Sequence, residues 1–299
     1  MINKDLKIVV TGVKGQLGYD CVLRLSKLGY KNIIGIDKDE LDITDEKAVD
    51  SFFLENKPNV LIHNAAYTAV DKAEIEPDIA YKVNALGPKY LASACNKVGA
   101  KMIYVSTDYV FKGDGDNFYE VNDKKEGLSV YGKSKSQGED YVISNLKEHF
   151  IVRTSWVFGI NGKNFVKTMI NLGKTRDSLN IVCDQIGSPT YTHDLAVLLC
   201  DMINSDKYGI YHAHNEGICS WADFASYIFK AANLNVKVNY LTTEEYLKLV
   251  PNQAKRPLNS RLSTKSLTDN GFNLLPTWQD AIDRYIDELK SKGELLWNS

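Results

Sequence analysis

Along the first half of the chain, short unbroken apolar runs alternate with stretches whose apolar residues recur every three or four positions. Leu6-Lys7-Ile8-Val9-Val10 reads as a short buried strand, after which Leu17, Cys21, Leu25 and Leu28 share one face of a helix. Further strands are expected at 32–36, 59–63, 102–105 and 150–153, with helices over 78–98 and about 129–146 between them. Strands separated by helices predict an α/β fold, a doubly wound parallel sheet covered on both faces. Ligands of such sheets gather beyond the carboxyl ends of the strands. The residues that follow the strands are therefore expected on one rim. They are Gly12 to Gly18, Asp37, Ala65-Ala66-Tyr67-Thr68, Ser106-Thr107-Asp108 and Thr154-Ser155-Trp156.

The regularity breaks after Trp156. A polar loop leads to a helix at 165–172, a strand at 181–183, a turn-rich loop at 184–190, a helix at about 193–204 and a strand at 209–212. Helices near 221–232, 243–250 and 277–290 complete the pattern. No Pro/Ser-rich linker, low-complexity run or internal repeat interrupts the chain. Two interleaved lobes are expected: residues 1–155, completed by segments near 177–212, and a smaller α/β lobe built mainly from 156–299.

Thr11-Gly12-Val13-Lys14-Gly15-Gln16-Leu17-Gly18 stands between the first strand and the first helix, the context a dinucleotide fingerprint requires. Gly12 suits the tight turn, Gly15 the approach of a pyrophosphate and Gly18 the close packing of helix on strand. The helix start adds unpaired N–H groups and a positive dipole end. The spacing is G-x-x-G-x-x-G, looser than the general motif. The second strand, however, ends on Asp37, 19 residues after Gly18, close to where a carboxylate receives the adenosine ribose 2′-OH. A capping role is the alternative for Asp37.

Composition narrows the partners. The 299 residues are 44% apolar and 25% charged, ordinary values for a globular enzyme, and a net charge of -2 provides no basic field for nucleic acid or an anionic membrane. No apolar run approaches a membrane span, and Met1-Ile2-Asn3-Lys4-Asp5 lacks signal-peptide character. The five cysteines are odd in number and form no Cys-x-x-Cys, which fits a reducing, cytoplasmic setting.

Candidate chemistry centres on Tyr131-Gly132-Lys133-Ser134-Lys135. On a helix, Tyr131 and Lys135 share a face, and a cation beside the phenol favours the phenolate. With the Thr107 hydroxyl they form a set suited to protonating a carbonyl oxygen as hydride reaches its carbon. Tyr131 is then the proton donor, Lys135 tunes it and bonds the nicotinamide ribose, and Thr107 orients the carbonyl. Trp156 offers a flat face to a sugar ring, with an ordinary aromatic of the rim as the alternative for it and for Tyr67. His212 and His214 read as structural or solvent-facing, and without a third ligand no zinc site is expected. Arg256 suits a phosphate clamp, with a surface ion pair as the alternative.

Together these residues resemble the extended short-chain dehydrogenase/reductases, and more narrowly the dTDP-4-dehydrorhamnose reductase family. The narrower marks are GQLG at 15–18, AAYTAVDKAE at 65–74, VNALGP at 83–88, STDYVF at 106–111, YGKSK at 131–135, RTSWVFG at 153–159, DQIGSPT at 184–190 and RPLNSRL at 256–262. The resemblance implies reduction of the 4-keto group of dTDP-4-dehydro-6-deoxy-L-mannose to dTDP-L-rhamnose, a polysaccharide precursor. The Asp37 carboxylate at the end of the second strand favours NADH over NADPH, with both expected to work because Lys38 and Lys14 stand nearby. The resemblance also implies that Gly15, Gln16 and Leu17 line the pyrophosphate, that Asp37, Asp42 and Ile43 line the adenosine, and that Ala65, Ala66, Tyr67 and Thr68 flank the nicotinamide half. Thr68, Thr107, Asp108, Trp156 and Arg256 are the residues expected to meet substrate.

Some members of that family hold magnesium at a dimer interface through acidic side chains. Here Asp20 matches the first such position, but His193 stands at the second and is a poorer ligand for a hard cation. No metal is therefore assigned, while a homodimer stays compatible with the sequence. Among rivals of the same superfamily, a 4,6-dehydratase is disfavoured because Asp108 is followed by Tyr109 and not by glutamate. A nucleotide-sugar epimerase, or an idle NAD(P)-binding regulatory subunit, is the alternative.

Overall fold

The computed structural model describes residues 3–251 and 253–294. Six parallel strands form the central sheet: β1 (Lys7–Thr11), β2 (Asn32–Ile36), β3 (Val60–His63), β4 (Lys101–Thr107), β5 (His149–Thr154) and Gly209–His212. Their spatial order is β2-β1-β3-β4-β5 and then Gly209–His212, with the strand order reversing between β1 and β3. That reversal opens the crevice where doubly wound folds bind their ligands. β4 runs to Thr107, two residues beyond the expected end, so Thr107 is the strand's last residue.

Helix α1 (Gln16–Lys27) and the helix Thr192–Met202 cover one face, burying Leu17, Cys21, Leu25, Leu195 and Leu199. Four further helices precede β4: α2 (Glu46–Asn56), α3 (Val70–Ala73), α4 (Pro77–Tyr81) and α5 (Gly87–Val98). The next, α6 (Val130–Asn145), carries the Tyr/Lys pair. The opposite sheet face is covered by α2, α5 and α6 through Val49, Phe53, Leu91, Cys95 and Val142. Sequence periodicity alone did not yield α2. Asp45 caps it, accepting from the backbone N–H groups of Lys47 and Ala48 at 3.0 and 3.1 Å.

The helix expected over 78–98 is not continuous. A π turn, Lys82–Leu86, separates α4 from α5. Pro88 has no N–H with which to bond the carbonyl of Asn84 four residues earlier. That carbonyl accepts from the Tyr104 hydroxyl at 3.3 Å instead. The Asn84 side chain bonds both the N–H and the C=O of Tyr67, at 2.8 and 3.1 Å, fixing the loop after β3.

The second lobe has its own core of Phe158, Val166, Ile181, Phe224, Phe229, Trp278 and Tyr285. The strand Ser178–Val182 belongs there. It pairs in parallel with Lys237–Leu241, a strand not expected from sequence, and does not join the central sheet. The return to the first lobe comes later, through Thr192–Met202 and Gly209–His212. Among the described residues, no helix is long and apolar enough to cross a membrane.

Gly138 lets α6 lie against the π turn. A Cβ there would stand 2.2 Å from the Asn84 carbonyl oxygen and 2.6 Å from the Tyr104 hydroxyl. Gly138→Ala should therefore destabilise the fold by about 2 kcal/mol, as overpacking does. A denaturant midpoint equal to that of the parent protein would contradict this contact.

Candidate active site

The glycine turn brings α1 onto the end of β1. A Cβ on Gly18 would lie 2.2 Å from the Gly12 carbonyl oxygen, so no other residue fits there. Beside the turn, a cleft of about 480 Å³ is lined by Gly12, Asp37, Asp42, Ile43, Ala65, Ala66 and Tyr67, together with Lys38, Leu41, Ile79 and others. Its position at the strand-order reversal and the close backbone approach at Gly12 and Gly18 fit a dinucleotide. Asp37 accepts from the backbone N–H of Lys14 at 3.1 Å and of Lys38 at 2.8 Å. Thr44 donates to Asp42 from both its N–H and its hydroxyl, holding that carboxyl below its usual range.

Gly15, Gln16, Leu17 and Gly18 do not line this cleft. The Leu17 side chain is in the core. The Gln16 amide oxygen accepts from Gly159 N at 2.8 Å and from the Asn164 side chain at 2.9 Å, tying the lobes together. What these residues can offer a phosphate is backbone N–H at the start of α1.

Thr107, Asp108 and Tyr131 form a connected set. The Thr107 hydroxyl donates to Asp108 Oδ1 at 2.9 Å and lies near the Tyr131 phenol. Ser260 donates to the other oxygen of Asp108. Burial pushes the Asp108 carboxyl up to about 6, against the opposing pull of those two bonds. Burial likewise raises the Tyr131 phenol above its ordinary range, with the nearby Thr107 hydroxyl pulling the other way.

Lys135 departs from expectation. Its ammonium donates to the Val105 carbonyl at 2.8 Å and lies 4.0 Å from the centre of the Tyr104 ring. Burial draws it down to about 7, opposed by the charge of Glu139. The lowering of the Tyr131 phenol by Lys135, expected from their spacing, is not found. Burial dominates at the phenol, and the charge of Asp108 adds to it.

Around the rim, Trp156 has φ +49°, rare for a side chain of its size. Its ring stacks on Trp221 at 3.8 Å between centroids and rests on Gly187. One aromatic face is thus used by a residue that sequence reasoning did not single out. Tyr67 donates its hydroxyl to Glu76 at 2.7 Å, and Thr68 is exposed on the same loop. Arg256, expected as a phosphate clamp, is paired with Asp71 at 2.8 Å, and the neighbouring Ala254 N–H bonds the same carboxylate.

His212 and His214 are both buried, which excludes the solvent-facing alternative. His214 lies between the carbonyl oxygens of Asn215 and Leu262. Asp20 is turned inward and accepts from Thr192, while His193 is exposed. Among the described residues, no three His, Cys, Asp or Glu side chains are grouped to hold a metal. One inward carboxylate and an imidazole do not fit magnesium.

Residues 6–291 match the family described as the RmlD substrate binding domain. The chain is 43% identical over 289 residues to dTDP-4-dehydrorhamnose reductase of Aggregatibacter actinomycetemcomitans, covering 92% of this chain and 97% of that protein. The chain belongs to the dTDP-4-dehydrorhamnose reductase family. Two solved members of this reductase family superpose closely. That of Clostridium acetobutylicum is 46% identical with a TM-score of 0.92, covering 95% of this chain and 100% of the other. That of Bacillus anthracis, solved in complex with NADP, is 43% identical with a TM-score of 0.91, covering 95% and 99%.

Because burial holds the Asp108 pKa above its unfolded value, ionising it costs the folded state stability as pH rises from about 4 through about 6. Asp108→Asn keeps the shape and removes that cost. It should stabilise the protein by on the order of 1–2 kcal/mol near pH 8, with the gain gone by about pH 4. Thermal melts at both pH values check this; an equal gain at both would show that the carboxyl does not titrate in that window.

Proposed function

We propose that this protein reduces the 4-keto group of dTDP-4-dehydro-6-deoxy-L-mannose to give dTDP-L-rhamnose for polysaccharide assembly. The observation that carries this reading is the Thr107–Asp108 hydrogen bond at the end of β4, with the buried Tyr131 phenol near the same hydroxyl, beside a crevice that fits a dinucleotide. The reduced nicotinamide supplies the hydride. Tyr131, kept protonated by burial, gives its proton to the carbonyl oxygen of the sugar. An alkoxide is far more basic than a phenolate, so even this raised phenol surrenders its proton once charge develops there. Thr107 stands beside it, and its single proton, which goes to Asp108 in this structure, turns to the same oxygen when the sugar binds. Lys135 stands at the next turn of α6, from which its ammonium would bond the nicotinamide ribose. Trp156, braced by Trp221, faces the sugar, with Thr68 and Arg256 at the nucleotide end. The five free cysteines support a reducing, cytoplasmic setting.

Supplying the keto sugar should consume one reduced nicotinamide for each sugar converted. An epimerase would show turnover with no net consumption, and an idle binding subunit no turnover at all. Tyr131→Phe keeps the ring and removes the acid, so kcat should fall by roughly 10² or more while cofactor affinity is nearly unchanged. Near-normal turnover would remove Tyr131 from the mechanism.

The cofactor preference follows from the acidic character of the adenosine end. Asp37 is joined there by Asp39 and Glu40, and the ammonium of Lys14 is spent on Asp39. A 2′-phosphate meets like charge at that edge, so NADH should be favoured over NADPH by roughly tenfold or less, about 1.4 kcal/mol. The NADP complex of the Bacillus anthracis relative supports NADPH as a working alternative. kcat/KM for the two cofactors on one substrate decides it, and a clear NADPH preference would mean that Asp37 does not receive the ribose.

A further inference from the structure

Tyr131, Lys135 and Glu139 follow one another at four-residue steps along α6, all on the face turned to the sheet. Glu139 has no exposed surface. Arg153 of β5 grips both its oxygens, through Nε at 2.9 Å and Nη2 at 2.7 Å. Ser106 of β4 donates to it at 2.6 Å, and Lys125 stands 3.3 Å away. Arg153 itself is 1% exposed, and its remaining nitrogen donates to the Val121 carbonyl.

Lys135 is 2% exposed and has no carboxylate bonded to it. The titratable groups around it are Tyr131 and Glu139 on its own helix, Tyr104 on β4 and His63 on β3. Burial keeps both tyrosines neutral, and His63, pulled down to about 3, is neutral as well. Glu139 is thus the anion that acts on the Lys135 ammonium.

We propose that Glu139 is a positioning residue of the reaction: its buried carboxylate, one helical turn from Lys135, favours the ammonium form there while its two bonds to Arg153 hold α6 in register on β5. This rests on Lys135 serving the reaction as described above. A guanidinium does not give up its proton in proteins, whereas a buried ammonium readily does. Of the two buried cations that depend on Glu139, Lys135 is therefore the one that yields when the carboxylate is lost. Proper placement of the helix alone would not secure that charge, because burial already draws Lys135 down to about 7.

The test compares E139Q, which keeps the shape and removes the charge, with E139D, which keeps the charge and shortens the arm. Two readouts are taken on the full chain: the titration of the Lys135 ammonium by ¹⁵N NMR, and the alkaline limb of kcat/KM with pH. In E139Q both should move down by about one pH unit or more, so that activity near pH 8 falls about tenfold while activity near pH 6 changes little. In E139D both should stay within roughly half a unit of the parent values. If E139Q does not fold, the E139Q/R153M pair replaces the ion pair by neutral groups of similar size, a change proteins often tolerate, and the same fall in the Lys135 titration is expected. Lys135 titrating as in the parent protein, with activity lowered equally at every pH, overturns the proposal and leaves the functional reading intact. A Lys135 titration that moves while the kinetic limb does not removes Lys135 from the reaction, and overturns both.

Discussion

The geometry of the site depends on a single buried ion pair between helix and strand. Arg153 and Glu139 meet through two parallel hydrogen bonds with almost no exposed surface, so neither charge has water to fall back on. Losing one partner of such a pair typically costs about 3–5 kcal/mol, because the other is left uncompensated. The pair is also directional, since a planar guanidinium accepts a carboxylate in few orientations. Helix α6 therefore cannot slide or rotate on the sheet without breaking both bonds, and Tyr131 inherits its position from that constraint.

The second lobe is bound to the first by polar contacts more than by a shared apolar core. Gln16 reaches Gly159 and Asn164, while Asn161 reaches the Lys14 carbonyl in the glycine turn. Arg256 and Ala254 close on Asp71 from the other side of the opening. The residues that cross between lobes thus start from the same loops that shape the cleft.

Much of this was legible in the sequence where the physics is local. The strand, glycine turn and helix around Gly12 to Gly18, the spacing of Tyr131 and Lys135, and the clustering of post-strand residues each follow from periodicity or backbone geometry over a few residues. The rest depends on partners distant in sequence. The pairing of Ser178–Val182 with Lys237–Leu241, the seat of Ser260 on Asp108 and the pairing of Arg256 with Asp71 carry no local mark. Helix α2 is a different case: its Asp45 cap was present to be read, but its apolar stripe is short. That burial raises the Tyr131 phenol and lowers the Lys135 ammonium could not be read from their spacing, because burial is invisible in a linear sequence.

The π turn at Lys82–Leu86 bears on how this chain can vary. Such a turn holds one more residue than the helical turn it replaces, and here the surplus aims the Asn84 side chain at both polar groups of Tyr67 while leaving its carbonyl for Tyr104. Excising a single residue from this segment would restore a regular helix and swing Asn84 about 100° around its axis, away from the loop it holds. Point substitutions on the exposed side of the segment are tolerable, but length is not. The segment should drift in composition over evolutionary time while keeping its residue count, with Pro88 retained as the residue that makes an ordinary turn unprofitable.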